Sequence, residues 1–265
     1  MKLRFLGTGT SFGIPVVGCT CATCTSPDPR DRRTRHAALL ESDDGAAALL
    51  VDTPPELRLQ LLAAGSPEVS GIWFTHAHAD HTAGLDDVRA FTARRRAPLT
   101  AWADAACAAA LRRRFDYIFA PEGPPTPGTS RPDVRLVEFG AGDVVEAGGF
   151  RLEPFAVPHG DLFTWGFRAG ALGYVADAKA LPDDVVDRLR GVRVLVLAAL
   201  WEGRPHPTHF NVEEAVAAAA RVGAGTTYLT HLTHRVRHAA LERSLPPGVA
   251  PAHDGLLVDI EEDGI

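Results

Sequence analysis

The sequence predicts an α/β fold of the α+β kind, built from two stacked sheets faced by helices. Two observations carry this expectation. Short apolar runs rich in Val, Leu, Phe and Trp alternate with segments of helical periodicity, and each half of the chain mixes antiparallel strands with strand–helix units. No linker and no short-period repeat divides the 265 residues, so one domain over 1–265 is expected.

Taken in order, "KLRFLG", "HAALLES" and "AALLVDT" read as three early strands. "PPELRLQLLAAG" reads as a helix, because Pro54 and Pro55 stand at its start and Gly65 just past its end. "GIWFTH" is a compact buried strand, and "DHTAGLDDVRAFTARR" is expected as the helix after it. Strand "LTAWAD" and helix "AACAAALRRRFDYIF" follow. "EGPPTPGTSRPD" is too rich in Pro and Gly for either element and reads as a surface loop. The second half opens with strands "VRLVEF", "FRLEPFAVP", "FTWGFRA" and "GYVAD". Helix "PDDVVDRLRG", strand "VRVLVLAAL", helix "NVEEAVAAAARVG", strand "TTYLTH" and a closing strand "LLVDIEE" complete the chain.

An apolar fraction of 46% with mixed charge excludes a disordered or fibrous chain. The net charge of −6 gives no general pull toward nucleic acid. No apolar run approaches the ~20 residues that cross a bilayer, so no membrane association is expected. The start, "MKLRFLGTGTSFG", breaks into glycines too soon for a secretory segment. A cytoplasmic location is expected, where thiols stay reduced and clustered cysteines favour a metal over a disulfide.

The strongest chemical signal is "FTHAHADHTAGL". His76, His78, Asp80 and His81 follow a buried apolar strand. In extended backbone His76 and His78 point the same way and can face one metal. The turn into a helix then redirects Asp80 and His81 toward a second position. Imidazole nitrogens with a carboxylate are donors that Zn, Mn or Fe accept. Four donors within six residues exceed what a polar strand cap needs.

This H-A-H-A-D-H run resembles the HxHxDH signature of the metallo-β-lactamase superfamily. Other donors occur in that superfamily's order: Asp52 in "LLVDT", His159 in "VPHG", Asp177 in "YVADA" and His231 in "YLTHLTH". The resemblance runs from Leu6 to about Asp254 and implies a four-layer αββα sandwich with a two-cation site at one edge. It implies that His76, His78 and His159 hold one divalent cation, Asp80, His81 and His231 the other, with Asp177 bridging. Asp52 would orient ligands. Two such ions, Mn or Zn, share a hydroxide and organise in-line attack on a phosphodiester.

Three of the four cysteines, Cys19, Cys21 and Cys24, fall within six residues, and need one more donor for tetrahedral zinc. "LTHLTH" offers two histidines three apart, and His234 is expected to complete a Cys₃His structural zinc. "LGTGTSFGIPVVGCTCATC" together with "LTHLTH" resembles the branch that holds phosphoribosyl 1,2-cyclic phosphate phosphodiesterases (PhnP-like). That resemblance implies a small phosphorylated substrate and a homodimer. It also implies catalytic roles for Asp80 and for His209 in "RPHPTHFNVEEA", His209 protonating the leaving alkoxide, with His206 as a substrate contact. One departure is that this branch has an aspartate where the chain reads Ala198 and Ala199. His36, His238 and His253 read as structural or exposed, and Cys107 as an apolar helix position.

Three other readings stay open. A tRNA 3′-end nuclease of the same superfamily typically carries an RNA-gripping arm between the equivalents of His159 and Asp177, where this chain has only seventeen residues. An accessory protein like those of pyrroloquinoline quinone biosynthesis shares the cysteine triplet but often loses donors that this chain keeps. Thioester or lactone hydrolysis uses the same hydroxide.

Overall fold

Two seven-stranded mixed sheets stack face to face. The structure, a computed structural model, describes residues 1–120, 123 and 126–261. The first sheet contains β1 (Lys2–Gly7), β2 (Ala37–Glu41), β3 (Ala48–Val51), β4 (Gly71–Trp73), β5 (Leu99–Asp104) and β6 (Val134–Phe139). The second contains β7 (Val145–Ala147), β8 (Phe150–His159), β9 (Leu162–Ala169), β10 (Leu172–Val175), β11 (Val194–Ala198), β12 (Thr226–Thr230) and β13 (Val249–Pro251). β14 (Leu257–Asp259) returns to the first sheet beside β1. The spatial orders are β14-β1-β2-β3-β4-β5-β6 and β13-β12-β11-β10-β9-β8-β7. In each sheet the antiparallel strands give way to parallel ones, at β3–β4 and at β10–β11.

The helices are α1 (Leu57–Ala63), α2 (Ala79–Thr82), α3 (Arg89–Arg95), α4 (Ala105–Arg114), α5 (Asp116–Phe119), α6 (Asp183–Leu189), α7 (Val212–Val222) and α8 (His238–Ser244). Three apolar layers hold the stack together. Between the sheets, Trp73 stacks on Phe139 at 4.1 Å and meets Phe167 of the opposite sheet edge-on at 5.5 Å. A second layer packs α1, α3 and α4 on the first sheet, and a third packs α6, α7 and α8 on the second. This is the αββα order. No described helix is long and apolar enough to cross a membrane.

Most expected elements match. β7, β13 and α8 were not expected, since three-residue strands and a seven-residue helix carry too little pattern. The helix expected over 80–95 is three pieces: α2, a 3-10 turn at Leu85–Val88, and α3. Thr53 causes the break, because its N–H takes the His81 carbonyl at 2.7 Å and its carbonyl accepts the Gly84 N–H at 2.8 Å. A Cβ on Gly84 would lie 2.0 Å from the Pro54 carbonyl oxygen, so only glycine allows this approach. The helix expected over 105–119 likewise breaks at Phe115, between α4 and α5. Of the expected loop and closing strand, positions 122, 124, 125 and 262 lie outside the described residues.

Candidate metal centre

Every expected donor of the catalytic cluster lies at or just beyond the C-terminal end of a strand. Asp52 follows β3, His76 and His78 follow β4, and Asp80 and His81 lie on α2. His159 ends β8, Asp177 follows β10, and His231 follows β12. Because β3 and β4 run parallel, as do β10, β11 and β12, these ends open on shared edges. Asp52 and His231 adopt left-handed backbone, with φ of 63° and 59°. Side chains other than glycine rarely do so unless surrounding contacts hold them.

Asp177 is the hub. The buried carboxylate faces Nε2 of five imidazoles: His209 and His231 at 3.2 Å, His81 at 3.6 Å, and His76 and His159 at 3.8 Å. Donor atoms of His76, His78, His159 and Asp177 all lie within 4.8 Å of one another. The same holds for Asp80, His81 and His231. Among the described residues, His81 Nε2, both nitrogens of His231 and Asp177 Oδ1 are buried with no hydrogen-bond partner. Polar atoms are rarely left so unless a cation or water meets them. The residues present therefore fit two divalent cations.

Hydrogen bonds set which imidazole nitrogen faces the cluster. His81 Nδ1 lies 2.6 Å from Asp52 Oδ2, so Nδ1 carries a proton and Nε2 points inward. Asp52 also accepts the Thr75 N–H at 2.9 Å and the Thr75 hydroxyl proton at 2.8 Å. With its proton given to Asp52, the Thr75 hydroxyl accepts from His76 Nδ1 at 3.0 Å. His159 Nδ1 donates to the Thr208 carbonyl at 2.9 Å. Gly160 permits that approach, since a Cβ there would fall 2.7 Å from Thr208 Cγ2. Three rings thus direct Nε2 at the same space.

Charge follows burial. Desolvation pulls the His76 pKa well below the ordinary value and His159 to about 4, which leaves both rings neutral. Burial opposes charge on His81, but the Asp52 and Asp177 carboxylates outweigh it and hold its pKa well above normal. Burial likewise works against the Asp177 and Asp80 carboxylates, yet His231 and His81 carry both well below the usual range.

His209 lines the cleft over this cluster, a space of about 490 Å³ that is also lined by His78, Asp80, Asp177 and His231. Its Nδ1 lies 2.8 Å from Thr208 Oγ1, and its ring stacks on His231 at 5.2 Å. His206 packs edge-on against Trp201 and reaches Thr208 Oγ1 at 3.2 Å. Ala198 and Ala199 are fully buried, and Ala198 is in register with Thr230, the residue before His231. The unpartnered Nδ1 of His231 is where an acceptor would be needed.

The thiol cluster is compact. His234 Nδ1 stands 3.3, 3.5 and 3.7 Å from the Sγ atoms of Cys19, Cys21 and Cys24. Tetrahedral zinc with bonds of about 2.3 Å to sulfur and 2.0–2.1 Å to nitrogen requires N···S separations of about 3.5 Å. These residues fit the ion. The Val16 N–H donates to Cys24 Sγ at 3.3 Å, and the Cys24 N–H to Cys21 Sγ at 3.5 Å. The latter bond leads the causes that lower the Cys21 thiol to about 6, whereas burial pushes Cys24 up to about 11.

Several contributors escaped sequence reasoning. Thr75 and the Thr208 carbonyl act through single hydrogen bonds, and nothing in the residue pattern announces either. His36 is fully buried, bonded to the Tyr174 hydroxyl at 2.8 Å, with its ring 5.4 Å from His81. Arg33, also fully buried, pairs with Asp31 at 3.3 Å and donates to the carbonyls of Thr233 and Val236. It binds the cysteine-bearing segment to the His234 loop.

A family model described as a beta-lactamase superfamily domain matches residues 48–232, which span the catalytic donors from Asp52 to His231. The chain belongs to the metallo-β-lactamase superfamily. It is similar to a crystal structure described as a new diphosphatase from the PhnP family, with 36% identity and a TM-score of 0.88 over 97% of this chain and 96% of that one. An octanoyltransferase of Porphyromonas gingivalis is 34% identical over all of this chain, which spans only 53% of that relative's length. Zn²⁺-bound PqqB from Methylobacterium extorquens shares the fold at 21% identity, with a TM-score of 0.79 over 98% of this chain and all of that one. The family and its PhnP-type neighbour support a metal-dependent hydrolase.

Proposed function

We propose that the chain is a two-cation phosphodiesterase that opens a small cyclic phosphate ester, such as a cyclic phosphate on a phosphorylated ribose. His76, His78 and His159 would hold one divalent cation, Asp80, His81 and His231 the second, and Asp177 both. The nitrogen and oxygen donors suit Zn or Mn. When bound, such a pair acidifies coordinated water and neutralises phosphate oxygens. The observation that carries this reading is the buried Asp177 carboxylate among five inward-facing imidazoles.

The chain's own residues supply the rest. Asp52 holds the His81 tautomer directly and that of His76 through Thr75. His209, on the cleft wall, holds a proton at Nε2 beside Asp177 and delivers it to the leaving alkoxide. Cys19, Cys21, Cys24 and His234 hold a structural zinc that braces the loop next to His231. Between His159 and Asp177 the chain makes only β9, β10 and two turns, which favours a small substrate over a gripped RNA. All seven expected donors converge, which favours an enzyme over an accessory protein.

The test is turnover by the metal-loaded protein on a cyclic ribose phosphate and on a precursor tRNA. Hydrolysis of the first with the tRNA left intact is expected. An untouched cyclic phosphate alongside tRNA trimming, or cleavage of a thioester or lactone, would overturn the proposal.

A further inference from the structure

A second cleft of about 680 Å³ joins the first and shares His78, Asp161 and Leu162 with it. Its character differs from that of the catalytic cleft. Ala106, Cys107 and Ala110 of α4 line one side, and Leu162, Phe163 and Trp165 of β9 line the other. The Cys107 thiol, pushed up by burial, stays neutral and adds no charge.

The apolar wall is held open to solvent. Leu162 is 50% exposed and Phe163 66%, although the strand that carries them is anchored by the Trp165 N–H on the Thr75 carbonyl at 2.8 Å. Large apolar side chains exposed together at the lip of a polar site mark a surface that something covers. Arg113 and Arg114 edge the same cleft. Arg114 is occupied, since it donates to the carbonyl of Ala77 between the two ligand histidines. Arg113 is exposed and has no ion-pair or hydrogen-bond partner among the described residues. Of the two carboxylates at the cleft, Asp104 caps α4 through the N–H groups of Ala106 and Cys107, and Asp161 stands at the junction with the catalytic space.

We propose that this cleft is the subsite for the organic part of the substrate, and that the substrate is a phosphate ester bearing a planar apolar group and a second anionic group that meets Arg113. The inference rests on the phosphodiesterase reading for the position of the reacting phosphate. A ribose alone would leave the apolar walls uncovered, whereas a planar ring carried on the same sugar would exclude water from both. The free guanidinium then selects for an anion, because Arg favours carboxylate or phosphate over a neutral group.

Binding to the metal-loaded protein separates this inference from turnover. Calorimetric titration with methyl phosphate, phenyl phosphate and 4-carboxyphenyl phosphate reports the phosphate, the ring and the second anion in turn. Phenyl phosphate is expected to bind about tenfold tighter than methyl phosphate, and the carboxylate to add a further gain. Ala110→Phe, which fills the cleft, should erase the phenyl advantage and leave methyl phosphate unchanged. Phe163→Ala, at an exposed position that folding tolerates, should reduce it. Arg113→Glu should remove only the gain from the carboxylate. Equal binding of the methyl and phenyl esters, a phenyl advantage that survives both cleft variants, or no binding of any ester would overturn the subsite. Failure of the phosphodiesterase reading shows separately, as no turnover of any diester while these binding ratios persist.

Discussion

Asp52→Asn is the sharpest perturbation of the cluster, because it changes no shape and touches no proposed ligand atom directly. The carboxylate accepts three hydrogens: the Thr75 N–H on Oδ1, and the Thr75 hydroxyl and His81 Nδ1–H on Oδ2. An asparagine side chain offers one oxygen and one NH₂. If the oxygen stays with the Thr75 N–H, the NH₂ meets His81 Nδ1–H, donor against donor. His81 relieves that clash by moving its proton to Nε2, which removes the lone pair needed for a metal. If the amide flips, the clash moves to the Thr75 N–H. Either orientation leaves one buried mismatch, costing about 1–3 kcal/mol of stability. Asparagine tolerates left-handed backbone, so the φ of 63° adds no separate penalty. Loss of a partner that orients a ligand typically weakens metal binding about 10–100-fold, or about 1.4–2.7 kcal/mol. Chelator competition on folded protein measures this directly. An Asp52→Asn variant that holds both catalytic ions within twofold of wild-type affinity would refute the tautomer argument.

Other consequences follow from the same geometry. Cys21→Ser should release one zinc per chain and lower Tm by roughly 4–8 °C, a loss of about 2 kcal/mol; an unchanged metal count and Tm would remove the structural-zinc assignment. His209→Ala should lower kcat by about 10²–10⁴-fold on an alkyl leaving group and far less on p-nitrophenolate, whereas equal losses on both would exclude proton donation. Burial, with help from Arg30, depresses the His238 pKa from 6.5 to about 4 against the opposing pull of Glu242. Between those values the unfolded chain takes up a proton that the folded chain refuses, so stability is full above pH 6.5 and falls as the pH drops toward 4. Comparing Tm against pH for wild type and His238→Gln should show the wild type losing up to about 3 kcal/mol more across that window; parallel curves would contradict it.

The catalytic donors were legible because they end or closely follow strong apolar runs, and strand ends meet at sheet edges. His76, His78, Asp80 and His81 could be grouped from spacing alone. His159, Asp177 and His231 needed the fold to bring them together, and the family resemblance supplied their order. The thiol triplet announced a metal, and the three-residue step from His231 to His234 suggested its fourth donor. Hidden were the contacts made by backbone atoms or single hydroxyls, such as the Thr208 carbonyl and Thr75. Hidden too was the burial of Arg33, a charged side chain whose place in the interior no residue pattern signals. The broken helix over 80–95 was missed for a similar reason. Thr53, distant in sequence, competes for the backbone bonds that would have continued it.

The most direct measurement is the number of metal ions per chain in wild-type protein and in Asp177→Ala. If Asp177 joins two cations and the cysteine cluster holds a third, wild type should carry three ions, one of them zinc that resists mild chelation. Asp177→Ala should keep that zinc, lose the other two and stay folded. A wild-type protein with a single ion, or an Asp177→Ala variant that still holds three, would contradict a paired-cation centre built around this carboxylate.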